Sequence, residues 1–255
     1  MEKNASKFGL EELQAMPTSA SLEVVTELAL YADAHPNFKK TLIKSLELAN
    51  ENASTAPNNL DPALYAVLQW PTNFPAYLEY LVWFANWAPK QSSDPAWLEP
   101  GSPVGEHQEV YDRLCHFYYL IDQPLEVDGK GTIIVESEPW FSNWLVRYAD
   151  AWGSFLNTTD SFNDAILQSF INDSPQYEVE NSMINGKPNN PSGWLTFNQF
   201  FARELNPGLR PIEAPEDNRV VVAPADSTFK ATYAIDSNSQ IPEITVKGTP
   251  VSYTH

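Results

Sequence analysis

The sequence predicts an α+β protein, in which an all-helical N-terminal domain is followed by the first strands of a β-rich domain. Apolar residues recur at helical spacing from Ser21 onwards, which favours helices. The stretch 173–193 is polar and rich in proline and glycine, as linkers are. Beyond it, β-branched runs such as Val220-Val221-Val222 are typical of strands. We expect an arm over 1–20, a helical domain over 21–180 and a second domain over 190–255.

The apolar pattern predicts the individual elements in turn. The predicted helices begin near Ser21, Phe38, Pro62, Phe74, His107, Trp140, Ser161 and Thr196. Asp61-Pro62 is a strong start signal, because proline is well tolerated at the first helical position. Asp-Gly-Lys-Gly at 128–131 predicts a tight turn between two short extended segments. Strands are expected at Val220–Val222, Phe229–Ile235 and Ile244–Val246.

The segment 63–89 is dense in aromatic residues, which has two interpretations. It could form a pocket for a ring-shaped ligand, or it could be a helix packed into a core. The second is favoured, because the larger apolar side chains fall on one helical face. That face consists of Phe74, Tyr77, Leu81, Phe84 and Ala88.

Charge and composition exclude several classes of function. The 15 Lys and Arg against 33 Asp and Glu give a net charge of −18, which repels nucleic-acid phosphates and anionic head groups. A single cysteine, Cys115, excludes an internal disulfide, and its apolar surroundings predict a buried thiol. No signal peptide or transmembrane segment is recognised, so a cytoplasmic protein is the simplest interpretation.

Common catalytic and metal-binding motifs are missing from the sequence. It has no glycine-rich phosphate loop, no nucleophile elbow and no paired cysteine or histidine ligands. His107 and His116 are nine positions apart with no accompanying ligand pattern, so solvated or hydrogen-bonded imidazoles are favoured over a metal site. We therefore predict no metal ligand and no residue that binds a separate cofactor.

A combined motif in the last quarter of the chain is more specific. Its elements are Thr196-Phe197-Asn198, Phe200-Phe201-Ala202-Arg203, Leu205, Gly208, Arg210-Pro211-Ile212, Pro224-Ala225-Asp226 and Val246-Lys247-Gly248. In order and spacing it resembles the N-terminal part of the phosphatidylserine decarboxylase family. Residues 140–163 are similar to the helical extension of a subgroup of this family that includes tryptophan decarboxylases.

The resemblance implies a pyruvoyl-dependent carboxy-lyase. Members of the family cleave their own chain at a serine, which becomes a pyruvoyl group that forms a Schiff base with the substrate amine. An Asp–His–Ser triad performs the cleavage, and Asp226 is the only member that can be carried over to this sequence. Without the family, an Asp after Pro-Ala is interpreted as the cap of a turn. Ser227 stands where the family has glycine.

Other residues of the motif have more ordinary interpretations. Arg203 and Arg210 could pair with a carboxylate or phosphate, although structural salt bridges are favoured. Phe200 and Phe201 are expected in the core. His255 and the serines at 227, 237, 239 and 252 do not lie in the family's motifs. We therefore expect the pyruvoyl serine downstream of this chain, which would be inactive alone and either a fragment or an enzyme that has lost its chemistry.

Three functional hypotheses remain open. The first is the N-terminal portion of a phosphatidylserine decarboxylase-type enzyme whose substrate is a lipid amine, or alternatively a free aromatic amino acid such as tryptophan. The second is a non-catalytic helical binding module. The third is an assembly module, in which the helical unit presents its aromatic-rich surface to a partner chain that completes the sheet. Under the first hypothesis, the expected partner is the C-terminal remainder of the enzyme. Whether the protein is a homodimer is left open.

Overall fold

The computed structural model describes residues 16–57, 59–98, 107–127, 131–173, 175–223, 233–246 and 249–252. The chain forms two compact units, which we call the helical unit (Met1–Pro207) and the C-terminal unit (Gly208–His255). The described residues form eight α-helices and three two-stranded antiparallel hairpins. This confirms the α+β class with a helix-rich N-terminal domain.

The helical unit contains all eight of these helices. They are α1 (Ser19–Ala34), α2 (Pro36–Ser54), α3 (Pro62–Val67), α4 (Phe74–Phe84), α5 (Glu109–Ile121), α6 (Pro139–Leu156), α7 (Asp164–Asp173) and α8 (Phe197–Phe201). Single 3₁₀ turns connect several of them, at Pro95–Trp97, Val135–Ser137, Thr159–Ser161, Pro175–Tyr177 and Val179–Ser182.

Side chains placed just before the helices satisfy the free N–H groups of their first turns. The Asp61 carboxylate accepts from the Ala63 N–H at 2.8 Å, directly ahead of Pro62. Asn73 caps α4 in the same way, through a bond of 3.0 Å from the Ala76 N–H. Because each helix has four such donors without intrahelical partners, these caps define where the helices begin.

The main core lies between α1, α2, α4, α5 and α6 and is built largely from aromatic rings. Trp144 and Tyr77 are fully buried, and burial of each such side chain contributes roughly 1.5–3 kcal/mol. The indole nitrogen of Trp144 also has a hydrogen-bond partner. The Trp144 indole N–H donates to the Val24 carbonyl at 2.9 Å, which ties α6 to α1. The aromatic face of α4 is buried here, so the core interpretation of segment 63–89 is confirmed.

A second, smaller core joins the end of α6 to α7 and α8. Its buried members are Ala88, Phe155, Leu156, Ile166, Phe170, Val179, Trp194, Phe197 and Phe200. The last three come from the C-terminal end of the helical unit. The first residues of the family motif therefore fold against the helical domain.

Two short hairpins interrupt the helical unit. Strands β1 (Leu125–Val127) and β2 (Gly131–Ile133) pair as the two predicted extended segments, while residues 128–130 of the predicted turn lie outside the described residues. Strands β3 (Met183–Ile184) and β4 (Lys187–Pro188) are joined by Asn185 and Gly186, both at positive φ (52° and 75°). Asn-Gly is the pair that such a two-residue turn favours, because both positions need φ above zero.

The C-terminal unit contains one hairpin, formed by β5 (Gln240–Val246) and β6 (Thr249–Ser252) with a bulge between Ile241 and Thr245. The strand predicted at Ile244–Val246 is part of β5 and is confirmed. The strand predicted at Val220–Val222 is wrong: these residues form no strand pairing with the described part of the chain, and the Val221 side chain is 93% exposed. The segment Tyr233–Ile235 is likewise unpaired, and 224–232 lie outside the described residues.

Cys115 is exposed on α5, so its predicted burial is wrong. The reason is helical geometry. Tyr111, Cys115 and Tyr118 follow each other at the i, i+4, i+7 spacing of one helix face, and all three are exposed. The opposite face, which includes His116 and Leu120, packs into the core.

Candidate functional site

The family motif begins at α8, whose first turn is capped by its own side chains. The Thr196 hydroxyl accepts from the Gln199 N–H at 3.2 Å. In return, Gln199 Oε1 accepts from the Leu195 N–H at 2.7 Å. This reciprocal arrangement closely resembles a capping box, and it starts a helix at the predicted position. The helix ends at Phe201.

One face of α8 anchors the motif in the second core. Phe200 is 3% exposed and its ring lies 5.0 Å from that of Phe162 and 5.5 Å from that of Trp194. The Phe197 N–H donates to the Ser161 hydroxyl at 3.0 Å. The expected burial of Phe200 is confirmed.

Phe201 is 75% exposed, so its expected place in the core is wrong. Phe197 and Phe200 are three positions apart and share the face of α8 that meets the core. Phe201 follows one position later, about 100° further around the helix, and therefore points away from it.

Arg203 fastens the end of α8 to the loop after α7. Its Nη1 donates to the Phe200 carbonyl at 3.2 Å and its Nη2 donates to the Tyr177 carbonyl. The guanidinium carbon also lies 4.9 Å from the centre of the Phe200 ring. Burial lowers the pKa of Arg203, while the charge of Glu178 acts in the opposite direction. Arg203 thus has a structural role, because its guanidinium group donates to two backbone carbonyls and interacts with the charge of Glu178.

Two asparagines hold the residues that follow Arg203. Asn189 Nδ2 donates to the Glu204 carbonyl at 2.9 Å and to Asn206 Oδ1 at 3.0 Å. The Asn206 N–H donates to the Asn181 carbonyl, and its Nδ2 to the Met183 carbonyl, each at 2.7 Å. Together these bonds lay residues 204–206 along the β3–β4 hairpin.

A groove of about 690 Å³ opens beside α8, wholly within the helical unit. Its lining is rich in side-chain amides, from Asn157, Asn189, Asn190, Asn198 and Gln199. Arg203 and Glu204 are the charged residues of the lining, one of each sign. Because amides both donate and accept, such a lining suits a polar ligand or a polypeptide backbone.

Asp226, the predicted triad acid, lies outside the described residues, as does the rest of Pro224-Ala225-Asp226. Its role stays a prediction. Nearby, Asp217 and Arg219 form an exposed bidentate pair, with bonds of 2.9 and 2.7 Å. Hydrogen bonds from Arg219 lower the pKa of Asp217. Arg210 is exposed and adopts a left-handed conformation (φ 47°).

The two histidines singled out in the sequence are both hydrogen-bonded. His107 binds Asp173 Oδ1 through its ring Nδ1 (2.8 Å) and its N–H (3.1 Å), joining the approach to α5 to the end of α7. His116 Nδ1 lies 3.3 Å from the Tyr80 hydroxyl. Burial, and secondly the charge of Arg113, lowers the pKa of His116 to about 3, so that it is neutral at pH 7.

Among the described residues, no cluster of three or more His, Cys, Asp or Glu side chains could hold a metal ion. The same part of the chain contains no helix that is both long and apolar enough to cross a membrane. Within it, His107 is paired with a carboxylate but with no described serine hydroxyl. The described residues therefore hold no complete Asp–His–Ser triad.

Comparison with known proteins agrees with the motif. Residues 197–255 match the sequence model of the family described as phosphatidylserine decarboxylase. No solved structure matches the chain.

Several curated proteins are similar to parts of the chain. Decarboxylase iboD of Amanita muscaria is 31% identical over 102 residues, covering 35% of this chain and 29% of that protein. The phosphatidylserine decarboxylase proenzyme of Shewanella amazonensis is 39% identical over 80 residues, covering 31% and 23%. The proenzyme 3 of Schizosaccharomyces pombe is 46% identical over 44 residues, covering 17% and 5%.

These relatives are all named as decarboxylases. Over residues 197–255 the chain is similar to the phosphatidylserine decarboxylase family, as the motif from Thr196 to Gly248 indicated. The matches cover less than a third of the length of these relatives.

Sequence reasoning missed several residues that organise this site. Asn206 lies between Leu205 and Gly208 of the motif, where it was assigned no role, and Asn189 stands in the polar stretch 173–193, which was interpreted only as a linker. The Asn185-Gly186 pair could have indicated a hairpin there, since it is a strong turn signal. Asp173 could not have been assigned as the partner of His107, because 66 positions separate them.

Proposed function

We propose that this chain forms the N-terminal part of a pyruvoyl-dependent decarboxylase of the phosphatidylserine decarboxylase type, which removes CO₂ from an amino-acid head group through a Schiff base. The observation that carries the proposal is the family match over residues 197–255, where the motif elements stand in the family's order. The decarboxylase names of the similar proteins support it.

In this proposal the helical unit is a scaffold for the family segment. Phe197 and Phe200 pack in its second core, and Arg203 and Asn206 bond to its backbone. Sites built on rigid elements hold reacting groups more precisely than sites on free loops. The helical unit would therefore give the segment leading to Asp226 a fixed starting point.

The described residues do not themselves accommodate a pyruvoyl group, since they hold neither the triad nor a serine paired with a histidine. We propose, from the family resemblance, that the group arises from a serine downstream of this chain. Asp226 is assigned the role of orienting the histidine that activates the cleaved serine.

The substrate is proposed to carry a primary amine and a carboxylate, as in the serine head group of phosphatidylserine. A free aromatic amino acid such as tryptophan is the second candidate. The observation that favours it is the net charge of −18, because anionic bilayers repel a chain of that charge.

The test is self-cleavage by the complete product of the source gene. Asp226→Asn is expected to slow cleavage by up to about 10⁴-fold, as loss of the triad acid does in serine hydrolases. Asp217→Asn is the matched control, because Asp217 lies in the same unit and its side chain pairs only with the exposed Arg219. Gel analysis and intact mass would follow the two products over time.

Normal cleavage of Asp226→Asn would refute the assignment of Asp226. A gene product that never cleaves and carries no pyruvoyl group by mass would refute the decarboxylase proposal and favour a non-catalytic module. If cleavage occurs, CO₂ release from phosphatidylserine vesicles and from free tryptophan would then separate the two substrate classes.

A further inference from the structure

A second groove, of about 460 Å³, lies between the segment Lys90–Ser93 and the start of α7. It is separate from the amide-lined groove beside α8 and shares no residue with it. Its polar lining consists of Lys90, Gln91, Ser92, Ser93, Asn163 and Ser169. No carboxylate is among the described residues that line it, in a chain of net charge −18.

Two parts of the groove lining favour negative charge. They are the exposed Lys90 and the first turn of the ten-residue helix α7, which contributes Ala165 and Ile166. Asn163 Oδ1 accepts from the Ile166 N–H at 3.0 Å, so this donor is satisfied. The N–H groups of Asp164 and Ala165 have no intrahelical partner, because the first four in any helix have none. A carboxylate fits such donors beside a cation.

Gln91, by contrast, favours a positively charged hydrogen-bond donor. This residue is only 8% exposed, and its Nε2 donates to the Tyr177 hydroxyl. Its main-chain N–H donates to the Ser169 hydroxyl at 3.1 Å, which in turn donates to the Ile166 carbonyl at 2.7 Å. Gln91 Oε1, by contrast, is buried with no hydrogen-bond partner. A buried acceptor of this kind is rarely left unpaired, so the ammonium group of a ligand can supply the donor that Gln91 Oε1 lacks.

We propose that this groove binds a small zwitterion of the α-amino-acid class. The carboxylate of the ligand would meet Lys90 and the first turn of α7. Its ammonium group would donate to Gln91 Oε1. An anion alone would leave the Gln91 oxygen unpaired, and an amine alone would leave the Lys90 end without a negative partner.

This inference does not rest on the proposed decarboxylase function, because binding can be measured on the chain itself without turnover. The two would be linked in one respect. Decarboxylation removes the carboxylate that the groove requires, so the site would hold substrate-like amino acids and release the corresponding amines.

The test compares three matched compounds by isothermal titration of the 255-residue chain. L-serine carries both charged groups, 3-hydroxypropionate lacks the ammonium, and ethanolamine lacks the carboxylate. Each lost charged hydrogen bond should weaken binding by about tenfold or more. We expect L-serine to bind at least about tenfold more tightly than either analogue.

Two variants test which residue binds which charged group of the ligand. Gln91→Met should abolish the preference for L-serine over 3-hydroxypropionate while keeping the preference over ethanolamine. Lys90→Gln should have the reverse effect. Lys187→Gln, at an exposed lysine outside the groove, controls for bulk charge. A variant that is merely less stable would weaken all three compounds together and leave the ratios unchanged.

Three results would overturn the proposal. The first is that none of the compounds binds. The second is that 3-hydroxypropionate binds as tightly as L-serine, which would show that the groove binds anions without recognising the ammonium group. The third is that Gln91→Met leaves both preferences unchanged.

Discussion

The helical unit and the C-terminal unit bury their apolar residues to very different extents. Trp144 and Phe141 in the helical unit are fully buried, whereas Val221 and Ile212 in the C-terminal unit are 93% and 66% exposed. The described part of the C-terminal unit has a single hairpin, and an isolated hairpin is marginally stable in water. The helical unit therefore provides most of the stability, although the family segment, residues 197–255, extends through both units.

The eight tryptophans make this comparison measurable. All of them lie between Trp70 and Trp194, within the helical unit. Tryptophan fluorescence therefore follows unfolding of the helical unit alone, while circular dichroism follows both units.

The largest difference between the units is expected for apolar truncation. Trp144→Ala should lower the free energy of unfolding by about 4 kcal/mol, because it leaves a cavity in the core and removes the bond from the indole N–H to the Val24 carbonyl. Val221→Ala should change it by less than about 0.5 kcal/mol. Guanidinium denaturation followed by fluorescence and circular dichroism measures both. Equal effects of the two substitutions would contradict the comparison.

A second difference is expected for ion pairs. Glu109 and Arg113 form a bond of 2.8 Å with side chains only 3% and 15% exposed, and the guanidinium lies over the Trp97 ring at 4.7 Å. Glu109→Gln leaves that buried charge uncompensated and should cost about 3 kcal/mol. Asp217→Asn, which breaks the exposed pair with Arg219 in the C-terminal unit, should have no measurable effect. Chemical denaturation would refute this if both variants matched the parent chain.

The smallest expected difference is in the response to acid. The pKa of His116 is lowered from 6.5 to about 3, so its stabilising contribution is full above pH 6.5 and declines as the pH falls towards 3. Relative to the parent, His116→Gln should reduce the stability lost between about pH 6.5 and pH 5 by about 1.5 kcal/mol. Fluorescence-detected denaturation across this range measures it, and an unchanged slope would contradict the burial of a neutral imidazole.

Asp112 provides a control of opposite sign. Burial raises the pKa of its carboxyl from 3.8 to about 6, so its contribution is full below pH 3.8 and is lost as the pH rises through 6. Asp112→Asn should therefore steepen the acid-induced loss that His116→Gln flattens. In the C-terminal unit, the lowered pKa of Asp217 means that its contribution is lost only as the pH falls below its usual range.

Periodicity predicted the helices well wherever one long face is buried. The residues Phe74, Tyr77, Leu81, Phe84 and Ala88 are buried as expected, because about three helical turns of α4 repeat the same pattern. Asp61-Pro62 predicted a helix start because capping and proline geometry are local. Local signals of this kind can be recognised without any knowledge of tertiary contacts.

Each wrong prediction concerns a residue whose burial or strand pairing depends on tertiary contacts. Phe201 belongs to a helix of only five residues, too short for its pattern to distinguish the buried face. Val220–Val222 has high strand propensity but no partner in the described residues, and propensity alone does not supply one. Cys115 lies among apolar neighbours in sequence but on the opposite face from the core.

The site was predicted in part. The motif identified α8 and the family segment, but the bond from Arg203 to the Tyr177 carbonyl joins residues 26 positions apart. No sequence spacing indicates such a contact, because it depends on how the loop after α7 folds back. Asp226 remains a prediction that rests on the family resemblance.

The attachment of Asn206 to the β3–β4 hairpin has a mechanical consequence. Its two bonds to Asn181 and Met183 lie immediately before Pro207, where the helical unit ends. Tension applied to the chain from residue 208 would therefore act on these two bonds before it reached α8. Under a stretching force, the bonds of Asn206 would break first, while the aromatic core stayed intact.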